Sequence, residues 1–132
     1  MINKIQHIGI AVKNLDESLK KYTQTFGFQL IHREIIEDRG IEVAVLDCKN
    51  TKIELVADYS GKSTIKKFIE KKGEGLHHVA FNVNDIQSHL DRLKGSGIKL
   101  IDENPRAGAH LSKVAFIHPE NFNSVLFELC QD

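Results

Sequence analysis

The sequence has no surplus of charge, almost no cysteine and no long apolar run. Eighteen Lys and Arg balance eighteen Asp and Glu. The excess positive charge that a general nucleic-acid binder needs to displace counterions from phosphates is therefore missing. Cys48 and Cys130 are the only cysteines; they make no disulfide framework and no CxxC pair, and a reducing cytoplasm suits the chain best. The longest apolar stretches, such as Val43 to Leu46, are strand-sized and far too short to span a bilayer. Lys4, Lys13, Asp16 and Glu17 leave no apolar h-region near the N-terminus, so no secretory signal is visible. What remains is an ordinary globular composition, 41% apolar and 27% charged, over 132 residues. That length suits a single domain with a real core. Seven histidines are the one unusual count.

The chain repeats itself. His7-Ile8-Gly9-Ile10-Ala11-Val12 is matched by His78-Val79-Ala80-Phe81-Asn82-Val83, Leu15 by Ile86, and Leu19 by Leu90. Val43 to Leu46 then matches Val114 to Ile117, and Thr51 to Leu55 matches Val125 to Leu129. Two copies of one module of roughly sixty residues follow, with boundaries at 1–60 and 76–132 and a bridging segment at 61–75. Missing such a repeat would miscall the fold.

Each copy has the same local pattern. Ile8, Ile10 and Val12 alternate with smaller or polar residues, the period of a strand. A helix follows, with Asn14 as N-cap, Glu17 three residues on, and Leu15, Leu19, Tyr22 and Phe26 along one face; these are helix-start and amphipathic signals. In the second copy Asp85 caps, and Ile86, Leu90 and Leu93 form the stripe. Gly27 and the Gly95/Gly97 pair read as helix stops. Three strands are expected after each helix, near 28–36, 41–48 and 51–57, then near 98–102, 112–118 and 123–130. The bridge reads as a helix from Ser63 to Lys72, with Ile65, Phe68 and Ile69 inward and Gly73 ending it. The expectation is an α+β fold of two tandem βαβββ modules.

The repeat also places polar residues in equivalent slots. His7 and His78 open the first strand of each copy, and Glu54 and Glu128 sit inside the last. Both glutamates stand among apolar neighbours, Lys-Ile-Glu-Leu-Val and Leu-Phe-Glu-Leu-Cys, where a buried unpaired carboxylate would be costly. A divalent cation offsets that cost, and two imidazoles with two carboxylates form a nitrogen/oxygen set suited to borderline metals. Gly9 and Ala80, two residues beyond each histidine, are small enough to leave room for an ion. A solvent-facing glutamate and a hydrogen-bonded histidine are the ordinary alternatives, and the pattern by itself leaves both explanations open. An ion bound at about 2.0–2.2 Å requires the His7 and His78 side chains to lie within about 8 Å of each other. Of the other histidines, His77 faces opposite to His78 and reads as packing, His32 and His89 as surface, and His110 and His118 as loop residues.

With its His/Glu/His/Glu pattern the chain resembles the vicinal-oxygen-chelate (glyoxalase/bleomycin-resistance) superfamily, and within it the methylmalonyl-CoA epimerase family most closely. The resemblance runs from Ile5-Gln6-His7-Ile8-Gly9 to Glu128-Leu129 and is densest at Asn50-Thr51-Lys52-Ile53-Glu54-Leu55, Gly73-Glu74-Gly75-Leu76-His77-His78 and Pro105-Arg106-Ala107-Gly108-Ala109-His110. It implies a pseudo-twofold eight-stranded open cup around one divalent ion (Co2+, Zn2+, Ni2+ or Mn2+), held by His7, Glu54, His78 and Glu128. It further implies an acyl-CoA substrate, a homodimer, and interconversion of (R)- and (S)-methylmalonyl-CoA through a metal-stabilised enolate, with Glu128 as ligand and base.

The same resemblance exposes departures. A second glutamate proposed as a base in some relatives, on the strand after the Gly40 turn, is replaced by Val43, with Glu42 beside it; Glu42 faces the other side unless a bulge re-aims it. Val56-Ala57-Asp58 stands where relatives carry Leu-Glu-Pro, which leaves acyl selectivity open. Lys62, Lys66, Lys67, Lys71 and Lys72 read as a solvated helix face. A glyoxalase I type lyase acting on a glutathione hemithioacetal would use the same four ligands. A non-catalytic small-molecule binder of the same fold tends to lose ligands, and an extradiol dioxygenase needs only three.

Overall fold

The computed structural model describes residues 1–132. Its strands are β1 (Lys4–Ala11), β2 (Gln29–Ile36), β3 (Ile41–Asp47), β4 (Lys52–Asp58), β5 (Gly75–Asn82), β6 (Arg106–Ala107), β7 (Lys113–Ile117) and β8 (Phe127–Gln131). Its helices are α1 (Leu15–Phe26), α2 (Thr64–Lys72) and α3 (Ile86–Gly95). The eight strands hydrogen-bond in the order β2-β3-β4-β1-β5-β8-β7-β6. Two tandem βαβββ modules in a mixed sheet are the α+β architecture that the repeat implies. The chain groups into two compact bodies, Ile8–His77 on one hand and Met1–His7 with His78–Asp132 on the other.

In the first body the helix signals act as read. Asn14 stays extended and its side chain accepts the Glu17 N–H, while Gly27 takes φ 73° and donates its N–H to the Thr23 carbonyl. A left-handed residue at that point is what closes a helix. β2, β3 and β4 form an antiparallel ladder in which Ala44 pairs with Leu55, and Val45 with Glu54. Alternation then puts Ala44, Leu46, Leu55 and Ala57 on the side that packs with Val12 and Leu15. α2 is capped by Ser63, whose side chain accepts the Lys66 N–H, and ends at Gly73 with φ 82°. Burial raises the Asp58 carboxyl, but hydrogen bonds from Ser63 and Gly61 outweigh it, and the net shift is downward.

The second body repeats the plan. Asp85 caps α3 through the Ser88 N–H; β7 pairs antiparallel with β8, and β8 pairs in parallel with β5. Its core is Val83, Ile86, Leu90, Ala115, Ile117 and Leu129. Residue by residue, five of these occupy the slots of Val12, Leu15, Ala44, Leu46 and Leu55 in the first core. The duplication seen in sequence is thus a duplication of packing. Leu19, matched to Leu90, is half-buried against the first core.

Four local expectations need correction. The strand near 98–102 is reduced to one bridge, Leu100 with Ile117. The Asp102 carboxylate takes the Phe116 N–H at 2.9 Å, the donor that a continuing strand would use, and Pro105 follows. β8 begins only at Phe127 because 119–121 turns in a 3-10 helix and Asn123 and Ser124 adopt positive φ. His89 is buried, only 7% exposed, since it stands at i+3 from Ile86 beside Leu90 on the apolar stripe. Phe26 lies at the end of its stripe, yet it is 62% exposed, its ring set against Tyr22 and Phe28.

Candidate metal centre

Alternation along β8 decides where Glu128 points. Leu129 pairs with Ala115 in the α3-side core, so Glu128, paired with Phe116 in β7 and with Ala80 in β5, projects from the opposite face. It is 2% exposed. His78 lies two residues before Ala80 and on the same face, and its ring meets Phe116 edge-on at 5.5 Å. His7 belongs to the same body, and its ring meets that of His78 at 5.0 Å, nearly perpendicular.

Three potential ligand atoms converge here. The Nε2 atoms of His7 and His78 are 2.9 Å apart, and Oε1 of Glu128 is 3.2 Å from the first and 4.0 Å from the second. The Gln6 side chain adds a constraint. Its Oε1 meets Nδ1 of His7, while its amide Nε2 donates to Oδ1 of Asp132 at 3.0 Å. An amide oxygen only accepts, so in the neutral ring Nδ1 carries the proton and Nε2 presents a lone pair. That lone pair lies 2.9 Å from His78 Nε2 and 3.2 Å from the Glu128 carboxylate oxygen. Ligand atoms about 3 Å apart are what metal–ligand bonds of about 2.1 Å subtend. The donor set fits a borderline divalent ion.

Glu54 lies in the other body, on β4. Its pairing with Val45 places it on the face of Val43, Val45 and Val56, away from α1, and it is half-buried there. Glu42 points the other way, accepting from Nε of Arg33 at 3.0 Å, while Nη1 of that arginine meets Asp16 at 2.7 Å. Hydrogen bonds to Glu42 and then to Asp16 hold the Arg33 guanidinium above its ordinary pKa. No bulge re-aims Glu42, since β3 runs in unbroken register with β4.

The remaining histidines have local partners. His77 packs edge-on against Phe68 at 4.8 Å, His32 meets Glu34 at 2.9 Å, and Nδ1 of His118 accepts the Glu120 N–H. His110 stands in a 3-10 turn at φ 58°. Gln6 and Asp132 had no part in the sequence reading. The only signal was a polar residue beside His7 in a strand, which alternation would turn away from it.

The chain is similar to known proteins along nearly its whole length. The family model of the Glyoxalase/Bleomycin resistance protein/Dioxygenase superfamily matches residues 6–116. An ethylmalonyl-CoA/methylmalonyl-CoA epimerase from Cereibacter sphaeroides is 37% identical over 99% of this chain and 99% of its own length. The uncharacterized Bacillus subtilis protein YqjC is 38% identical over 98% of this chain and 93% of its own. Among solved structures, the Mycobacterium tuberculosis methylmalonyl-CoA epimerase superposes with a TM-score of 0.93 at 36% identity, covering 98% of this chain and 88% of that one. With its repeat, its strand order and this similarity, the chain belongs to the glyoxalase/bleomycin resistance/dioxygenase superfamily.

Proposed function

We propose that this protein is a metal-dependent epimerase that interconverts (R)- and (S)-methylmalonyl-CoA. The observation that carries the reading is the convergence of His7 Nε2, His78 Nε2 and Glu128 Oε1 on a buried face, in a chain similar to CoA-thioester epimerases along nearly its whole length. His7, His78, Glu128 and Glu54 hold one divalent ion. Support for Glu54 comes from its slot, equivalent to that of Glu128 in the repeat.

When bound, the ion supplies Lewis acidity to oxygens of a thioester and its neighbouring carboxylate, which makes the α-proton more acidic. Glu128 removes that proton. Its burial, at 2% exposure, keeps water from competing and strengthens its electrostatic coupling to the reacting carbon. Inversion needs a proton delivered to the opposite face, and since on β3 Val43 is apolar and Glu42 is held by Arg33, a water supplies it.

Metal-loaded protein incubated with methylmalonyl-CoA in heavy water, with the α-proton followed by NMR, tests the proposal. Exchange accompanied by inversion is expected. No exchange with the CoA ester, but turnover of a glutathione hemithioacetal, would replace the epimerase with a glyoxalase I type activity.

A further inference from the structure

The metal-facing nitrogen of His7 is determined by a residue that no ligand motif contains. Gln6 is half-buried and its amide is used at both ends: Oε1 against Nδ1 of His7 and Nε2 donating to Oδ1 of Asp132 at 3.0 Å. An isolated glutamine amide can turn over and offer either atom. Here the far partner is a carboxylate, which only accepts, so the amide nitrogen must face Asp132 and the oxygen must face the imidazole. The Asp132 carboxylate is itself oriented, because its Oδ2 accepts from Nδ2 of Asn82 at 3.1 Å, and Oδ1 of Asn82 in turn accepts from Nδ2 of Asn3 at 2.8 Å.

We infer that Gln6, oriented by Asp132, is a positioning residue that fixes His7 as the Nδ1–H tautomer and so keeps its Nε2 unprotonated as a metal ligand. The inference rests on the metal-centre reading above, but its first consequence is a property of the metal-free protein. A polar group on the outer nitrogen of a ligand histidine sets the ring's tautomer and orientation and raises its basicity as a ligand. The opposite tautomer would place a proton on the atom that must coordinate.

Two measurements test this, each on wild type, Gln6→Leu, Asp132→Asn and the double variant Gln6→Glu/Asp132→Asn. Long-range nitrogen–proton NMR correlations in the metal-free protein report the His7 tautomer, and competition against a chromophoric chelator reports the affinity for Zn2+ or Co2+. Wild-type His7 should be Nδ1-protonated. Gln6→Leu should lose that preference and bind metal about 10- to 100-fold more weakly, the usual cost of removing a partner behind a metal ligand. The double variant Gln6→Glu/Asp132→Asn, in which the asparagine amide can donate to the new carboxylate, keeps an acceptor on Nδ1 and should preserve both the tautomer and most of the affinity. Asp132→Asn lets the Gln6 amide turn over, so it should fall between wild type and Gln6→Leu in both readouts. Wild-type His7 protonated on Nε2, or a Gln6→Leu protein with unchanged tautomer and affinity, would overturn the inference. A protein with the expected tautomers and affinities but no activity on CoA esters would overturn the epimerase reading and leave this one standing.

Discussion

Glu42 and Val43, neighbours in β3, face opposite sides of their ladder. Glu42 pairs with Ala57, a core residue on the α1 side, and Val43 pairs with Val56 on the face that carries Glu54. The carboxylate is engaged by Arg33, and the position where some relatives carry a second base is a buried valine, 1% exposed. Glu42→Gln should therefore leave turnover near wild type, far short of the drop of about 10²-fold that follows loss of a general base. Steady-state kinetics with saturating metal measures it. A loss of that size would return Glu42 to the mechanism.

Glu128→Gln is expected to do what Glu42→Gln does not. The amide keeps the shape and one ligand oxygen but cannot usefully accept the α-proton, so turnover should fall by at least about 10²-fold even with excess metal. Glu54→Gln should cost less once the ion is replenished, because an amide oxygen can still coordinate. Equal losses in the two variants would mean that charge at the metal, not proton transfer, is what Glu128 contributes.

Metal binding should be visible as stability. An ion that binds only the folded chain contributes about 2.7 kcal/mol at a free concentration 100-fold above its dissociation constant. Thermal melts of the wild type should rise with added Zn2+ or Co2+, with one ion bound per chain by metal analysis. His7→Ala and His78→Ala should abolish the rise, and a wild-type melt that ignores every divalent ion would sink the metal centre.

The equivalence of the two cores makes a paired prediction. Leu55 and Leu129 are fully or almost fully buried and occupy the same slot in their respective clusters. Leu55→Ala and Leu129→Ala should each destabilise by about 2–5 kcal/mol in chemical denaturation, the range for emptying a leucine site in a close-packed core. A negligible cost in either would contradict its place at the centre of a core.

Much of this plan was legible in the chain. The caps Asn14 and Asp85, the helix stop at Gly27 and the five-residue core repeat all follow from side-chain chemistry within a few positions, which sequence displays directly. What escaped depended on distant partners. The strand expected near 98–102 was lost to the Asp102 carboxylate, whose bond to Phe116 spans a loop. His89 reads as polar by type, and only its phase on the α3 stripe shows it to be interior. His7 and His78 were visible as a repeated pair, whereas the bond from Gln6 to Asp132 joins residues far apart in sequence and has no local signature.

His89 gives the fold a dependence on pH. Burial lowers its pKa below the ordinary 6.5, and the Met1 α-amine and Arg92 add to that against the weaker pull of Asp85. Below about pH 6.5 the unfolded chain takes up a proton that the folded chain resists, so stability falls as pH drops through that value towards the folded pKa. Above it, His89 contributes nothing further. Unfolding free energies compared between about pH 7.5 and pH 5.5 should fall more steeply for the wild type than for His89→Gln. Identical slopes would remove His89 from the acid response.

The grouping of residues 1–7 with residues 78–132 gives the two copies unequal folding problems. Ile8–His77 is continuous in sequence and can close on itself as soon as it leaves the ribosome. The other body needs residues 1–7, which are made before residues 8–77, and its bonds from Asn3 to Asn82 and Asn84 wait until the intervening chain exists. Joining ends that far apart costs entropy that adjacent segments do not lose, and contacts of long sequence separation slow folding. Substitutions within residues 1–7 therefore burden the late-completing C-terminal copy more than the module in which they lie.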